Sequence, residues 1–254
     1  FSLTGTPGHV TRSYHRQRAR FDRLIGGMTE ALFVLCFRMK LPVMQLLFTL
    51  IADDITRNIP QAVRSSGAPI YPALRLAMTV RYLAGGSYLD LTALYGVSVP
   101  GFYQSVWMVC EAIVDRVPIT FDMRIQNLNR IANGFVRRQR KVAFRYVVGA
   151  LDGMLVKIKR LSVKEFAKPV QMWCRKGYYG LNVQGMCDAR RIFTFVAINC
   201  PASVHDSVAF SMSTLYQFLH LLPEPFVILA DAAYKSIPLC LTPFDGRGLS
   251  LIHI

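Results

Sequence analysis

The sequence has 254 residues, 52% of them hydrophobic, which is enough to bury a core in one large domain or two small ones and too many for a chain that stays unfolded. Thirty Lys and Arg stand against fifteen Asp and Glu, and the net charge of +15 points to an acidic partner, nucleic acid first and an anionic membrane surface second. Six cysteines, at 36, 110, 174, 187, 200 and 240, form no Cys-x-x-Cys pair, and no His pair sits at zinc-ligand spacing, so they read as free thiols.

The N-terminal stretch is polar and then Arg-rich, unlike a signal peptide, and the first residue, Phe1, predicts that the sequence is a fragment at this end. Residues 1–27 carry Arg12, Arg16, Arg18, Arg20 and Arg23 against the single acid Asp22, a basic arm or the start of a polar helix. Apolar residues dominate 29–50, and Pro42 divides that run into two helices. The longest apolar stretch, 41–52, contains Pro42, Gln45 and Thr49 and is too short to span a bilayer, so no membrane partner is expected. A helix over 71–83 follows, with Leu74, Ala77, Met78 and Tyr82 at helical spacing. Residues 89–113 then read as helix, Gly96 turn, Ser98 N-cap and second helix, which describes either a helix-turn-helix or a plain helical hairpin. The second helix offers no Lys or Arg before Arg116, hence few contacts to phosphate or base.

The first 140 residues therefore read as a helical region, and a second domain is expected over 141–254. The basic run Arg137, Arg138, Arg140, Lys141 and Arg145 marks the junction, and after it the periodicity changes from 3.6 to 2. Residues 146–151 are continuously apolar, as in a strand buried on both faces. Val156 and Ile158 alternate with Lys157 and Lys159, and Leu181 and Val183 with Asn182 and Gln184. Asp188-Ala189-Arg190-Arg191 forms a hairpin turn into the β-branched and aromatic run 192–198. Helical spacing over 203–219 and a short apolar strand at 226–230 complete the order strand, strand, strand, helix, strand.

Two aspartates, Asp152 and Asp231, stand immediately after the two most apolar strands. If those strands are adjacent and parallel, their carboxyl ends border the crevice where open sheets bind ligands. Two carboxylates side by side repel unless a cation lies between them, and their oxygens suit Mg²⁺ or Mn²⁺. The other reading is a pair of unrelated strand-end aspartates. Asp206 closes the capping-box pattern Ser203-Val204-His205-Asp206 or serves as a metal ligand, His205 is a phosphate contact or a first-turn residue, and Asp188 is a turn residue. Residues 137–176 hold twelve Lys or Arg and two acids, Asp152 and Glu165, with Trp173, Tyr178 and Tyr179 at the border. That excess is a solvated face or a footprint for a phosphate backbone, and its candidate contacts are Arg137, Arg138, Arg140, Lys141, Lys157, Lys159, Arg175 and Lys176.

Six short motifs occur in one order: Ala150-Leu151-Asp152-Gly153; the segment from Arg175-Lys176-Gly177 to Val183-Gln184; Cys187-Asp188-Ala189-Arg190; Ser203-Val204-His205-Asp206-Ser207; Leu229-Ala230-Asp231-Ala232-Ala233-Tyr234; and Leu241-Thr242-Pro243. In this the chain resembles, over about residues 145–243, the DDE endonuclease domain of PIF/Harbinger-type transposases and their domesticated nuclease relatives. The helical half, with its Gly96-Val97-Ser98 turn, is similar, less specifically, to that family's helix-turn-helix region. The resemblance implies an α then α/β fold, a helix-turn-helix-like region followed by an RNase H-like DDE core. It implies Asp152 and Asp231 as catalytic carboxylates, Asp206 as a further metal ligand, and divalent Mg or Mn as cofactor. The implied reaction is DNA cleavage and strand transfer at terminal repeats, in the nucleus, with a separate Myb-like DNA-binding protein as partner; self-association is left open. The family's third acid is a Glu further along the chain, whereas here no Glu follows Asp231 and the only later acid is Asp245. The resemblance therefore predicts a core truncated before its third acidic residue and inactive in that form. A domesticated, non-catalytic DNA-binding protein is the alternative.

Overall fold

The computed structural model describes residues 21–57, 69–140, 143–235 and 237–243. Arg12, Arg16, Arg18 and Arg20 of the basic arm, Lys141, and the closing stretch with Asp245 lie outside the described residues. The chain divides into two units, Phe1–Pro118 and Ile119–Ile254.

The described part of the first unit is helical: α1 (Phe21–Ile25), α2 (Glu30–Phe37), α3 (Leu41–Ile51), α4 (Pro72–Leu83), α5 (Tyr88–Tyr95) and α6 (Val99–Arg116). The apolar run 29–50 breaks as Pro42 predicts. Thr29 caps α2 by accepting from the Leu32 N–H, Arg38 closes it in the left-handed region, and Pro42 sits in the first turn of α3, where a missing N–H leaves no bond unmade. Helix α4 is buried nearly all round, Arg75 and Thr79 included. Leu76, Ala77 and Val80 pack with Phe33, Phe37, Met44 and Ile51, while Leu74 and Met78 pack with Leu91, Tyr95 and Phe102. Between α5 and α6, Gly96 is left-handed, Ser98 accepts from the Gly101 N–H, and the two axes meet at 102°. This is the turn the sequence predicts. The single cation of the α6 sequence, Arg116, forks onto both oxygens of Asp54 at 2.8 Å. Among the described residues no single helix is long and apolar enough to cross a membrane.

The second unit begins with α7 (Ile125–Val136), so this helix belongs with the sheet rather than with the helices before it. The reason is packing: Leu128, Ile131 and Ala132 share a core with Val148, Leu151 and Ile228. Strands β1 (Val147–Lys157), β2 (Gly180–Cys187), β3 (Phe193–Pro201), β4 (Val227–Ala230) and β5 (Cys240–Leu241) form one mixed sheet in the order β3-β2-β1-β4-β5. The strands β1, β2 and β3 are joined antiparallel, whereas β4 runs parallel to β1 and β5 parallel to β4. Asp188 makes the β2–β3 turn as predicted. Its Oδ1 accepts from the N–H groups of Arg190 and Ile192, and Arg191 takes a left-handed φ of 68°.

Two expectations change. Strand β1 does not end before Asp152 but continues to Lys157; only its pairing with β4 ends at Leu151. The helix predicted over 203–219 is two short helices, α8 (Asp206–Ser211) and α9 (Thr214–Phe218), followed by a 3₁₀ turn. Ser213, wholly buried, breaks it by accepting from the Tyr216 N–H and capping a new helix.

Candidate active site

The parallel register of β1 and β4 aligns Ala150 with Leu229 and Leu151 with Ala230. The next residue on each strand is an aspartate, so Asp152 and Asp231 stand at the same level of adjacent parallel strands, as the sequence predicts. Each is exposed, and each has one oxygen tied to nearby backbone. Asp152 Oδ1 accepts from the Gly153 N–H at 2.8 Å, and Asp231 Oδ1 accepts from the Ala233 N–H at 2.9 Å. Both bonds fix the carboxylate and leave its second oxygen without a hydrogen bond among the described residues.

Asp206 arrives from another element. The N-cap of α8 is His205, whose Nδ1 accepts from the Ser207 N–H at 3.3 Å, so the capping box read from Ser203 does not form. The Asp206 carboxylate turns instead onto β1 and β2. Its Oδ1 accepts from Asn182 Nδ2 at 2.9 Å and from Gln184 Nε2 at 3.3 Å. It lies against Gly153, the residue after Asp152: a Cβ there would come 2.7 Å from Asp206 Cγ and 2.8 Å from Gln184 Nε2. Only glycine leaves room for this approach.

Beneath Asp206 runs a buried polar chain. Tyr234 Oη donates to Gln184 Oε1 at 2.7 Å, Gln184 Nε2 donates to Asn182 Oδ1 at 2.7 Å, and Asn182 Nδ2 also donates to the Val204 carbonyl at 2.9 Å. Asn182 is 1% exposed and Gln184 is 0% exposed. Their alternation with Leu181 and Val183 looks like a solvated polar face, but that face is covered by α8 and the Asp231–Tyr234 turn. Burial raises the Tyr234 phenol far above its ordinary range, and the charges of Asp206, Asp152 and Asp231 raise it further, against the Gln184 hydrogen bond. All three aspartates thus act on one neutral hydroxyl. Tyr234, Asn182 and Gln184 are the site residues that sequence reasoning missed. The one available signal was a pair of amides two apart in a strand near the acids.

A cleft of about 330 Å³ opens beside Asp206, walled by Gly153, His205, Arg175 and Lys176. The two cations sit on a tight turn closed by the bond from the Gly177 N–H to the Cys174 carbonyl, with Gly177 at φ 81°. Next to them Lys157 lies over the Tyr178 ring at 5.9 Å and Arg160 over the Tyr179 ring at 5.6 Å, and Trp173 meets Tyr179 edge-on at 4.9 Å. Lys159 is exposed on the segment after β1. Arg137 and Arg138 are not part of this cleft. They line a different cavity, between α7 and the Asp188 turn, while Arg140 is exposed after α7 and Lys141 lies outside the described residues.

As hard oxygen donors, Asp152 and Asp231 suit a divalent ion. Among the described residues, however, no group of three or more His, Cys, Asp or Glu could hold a metal ion. Asp206, with one oxygen already engaged by two amides, does not complete such a group. No curated protein and no solved structure matches the chain. Residues 151–251, which include Asp152, Asp206 and Asp231, match the family model of the DDE superfamily endonuclease, whose members generally use divalent metals, and this match supports a DDE transposase-like nuclease.

Proposed function

We propose that the second unit is the core of a DNA endonuclease of PIF/Harbinger transposase type, with an RNase H-like fold, that cuts and joins DNA at terminal repeats in the nucleus. The observation that carries this reading is the register that brings Asp152 and Asp231 level on adjacent parallel strands. In this reading Asp152 and Asp231 hold Mg²⁺ or Mn²⁺, and Asp206 is a further ligand after it releases an amide. A divalent ion bound there supplies Lewis-acid stabilisation of the attacking and leaving oxygens. Lys157, Lys159, Arg175 and Lys176 grip backbone phosphates beside the carboxylates, and Arg137, Arg138, Arg140 and Lys141 extend that grip. A Myb-like protein that delivers the nuclease to DNA, a helix-turn-helix role for α5 and α6, and self-association belong to the same reading.

The test is nicking of supercoiled plasmid DNA by the full-length protein with Mg²⁺ or Mn²⁺. Asp152→Ala and Asp231→Ala should each reduce nicking to background, and undiminished cleavage in both variants would sink the assignment. The second reading, a non-catalytic DNA-binding protein, is favoured by the absence of a three-acid group among the described residues. It predicts DNA binding in EDTA that Asp152→Ala leaves intact, and no nicking with either metal.

A further inference from the structure

We propose that the cavity between α7 and the Asp188–Arg190 turn is a second phosphate-binding site, a dock for nucleic-acid backbone separate from the cleft at Asp206. The inference rests on the DNA-nuclease reading above.

The cavity measures about 780 Å³ and shares no lining residue with the cleft. Helix α7 contributes Arg130, the residues just past its end contribute Arg137 and Arg138, and the turn contributes Arg190. Arg130 and Arg137 are seven residues apart, two helical turns, and so lie on one face. Arg137 and Arg138 follow directly on the last helical residue, where the negative end of the helix dipole favours cations. Asn129 and Asn133 add neutral amide donors to the wall.

Asp188 is the one carboxylate in the lining, and the turn already engages it. Its Oδ1 accepts from the Arg190 and Ile192 N–H groups at 2.8 and 3.0 Å, and its Oδ2 accepts from Arg190 Nε at 3.1 Å. Among the described residues Arg130, Arg137 and Arg138 make no ion pair. The four guanidinium groups of the lining, of which Arg130 also feels the charge of Asp122, outnumber its single carboxylate, and an external anion relieves the repulsion that remains. The planar fork of guanidinium matches two oxygens of one phosphate, so the chemistry favours a phosphodiester over a simple halide. The wall itself is firm: helix and turn meet so closely that a Cβ on Gly134 would stand 3.1 Å from the Ala189 Cβ.

The experiment is fluorescence anisotropy of the full chain with a labelled DNA duplex in EDTA, across a salt series. Arg137→Gln/Arg138→Gln removes two exposed cations from the cavity. Lys164→Gln/Lys168→Gln removes two exposed cations outside either cavity and serves as the charge-matched control. The cavity variant should lose about tenfold in affinity, and its salt slope should fall by about 1.8, the value for two lost phosphate contacts. The control should lose much less. Equal losses in both variants overturn the site while leaving the DNA-nuclease reading standing. Failure of the unsubstituted chain to bind the duplex removes that reading and the inference with it. Affinity for AMP that depends on Arg137 and Arg138, with duplex binding untouched by their loss, also overturns the dock.

Discussion

The two units bury polar side chains in different ways. In the helical unit Arg75 donates to the Ile70 carbonyl at 3.1 Å and to Ser105 Oγ at 2.8 Å, and Ser105 donates to the Gly101 carbonyl at 2.7 Å. Among the described residues, those bonds tie α4 to α6 and reach the backbone carbonyls of Ile70 and Gly101. In the sheet unit Tyr234, Gln184 and Asn182 lead to a carboxylate beside an open cleft. A buried amide carries a desolvation cost that an apolar residue would avoid, and its removal from a network leaves partners unpaired. Where the chain of bonds closes on backbone, it secures the packing of two helices. Where it ends on Asp206, it sets the position of a charge at the candidate site. The difference separates polar residues that only hold the fold from those that reach the candidate site, without any appeal to where the acids lie in sequence.

The sharpest way to break this comparison is Gln184→Leu. The substitution leaves Tyr234 Oη without its acceptor and takes one donor each from Asp206 and Asn182, at a cost of about 3 kcal/mol. If Asp206 acts in the reaction, its displacement should also lower metal-dependent nicking by about 100-fold. Duplex binding in EDTA should stay unchanged, because no cation is touched. Urea unfolding, nicking and anisotropy on one preparation separate the outcomes. A loss of stability with full nicking would place the Gln184 network on the same footing as Arg75 and Ser105.

Asp188 sharpens the comparison from within the sheet unit. It is 6% exposed, yet its bonds close on its own turn, so it belongs with the structural group. Burial works to raise its pKa, but the Ile192 N–H and both Arg190 groups outweigh this and hold it below the ordinary 3.8. A depressed pKa in the folded state means stability that is present above the unfolded pKa and lost as pH falls through the folded one. Asp188→Asn keeps an acceptor oxygen and removes the charge. It should cost about 1 kcal/mol at pH 7. The gap from the unsubstituted chain should close as pH falls below 3.8, and nicking at pH 7 should remain. Urea midpoints at neutral and acid pH test this, and a gap that persists at acid pH breaks the assignment.

The same contrast explains what was legible in the sequence. Asp152 and Asp231 were visible because each follows an apolar run whose parallel neighbour is itself apolar, and the break at Pro42 was visible because proline acts locally. Asn182 and Gln184 were not, because their partners come from far along the chain: Asp206 lies 24 residues after Asn182, and Tyr234 lies 50 after Gln184. Alternation records the pleat of a strand but not what covers its polar face. The arginines closing α7 drew the expected boundary to 140, since charge resembles a linker, whereas Leu128, Ile131 and Ala132 at helical spacing tie that helix to the sheet. The two basic groups, at the cleft and at α7, likewise read as one run in sequence, and only folding separates them.

The smallest expected effect concerns a polar group that belongs to neither network. Thr79 on α4 is fully buried, and its Oγ1 has no hydrogen-bond partner among the described residues. A buried hydroxyl without a partner bears its desolvation cost with nothing to offset it. Thr79→Val replaces the hydroxyl with a methyl of similar size and should stabilise the helical unit by about 1 kcal/mol, read as a higher urea midpoint. Arg75, four residues earlier on the same helix and in the network of α4 and α6, gives the contrast: Arg75→Leu should lower the same midpoint, because Ile70 and Ser105 lose a donor. Opposite signs at two buried polar positions of one helix would show that hydrogen bonding, rather than polarity, decides what this core tolerates. A destabilised Thr79→Val would instead mean that the hydroxyl is engaged, and would remove Thr79 from the contrast.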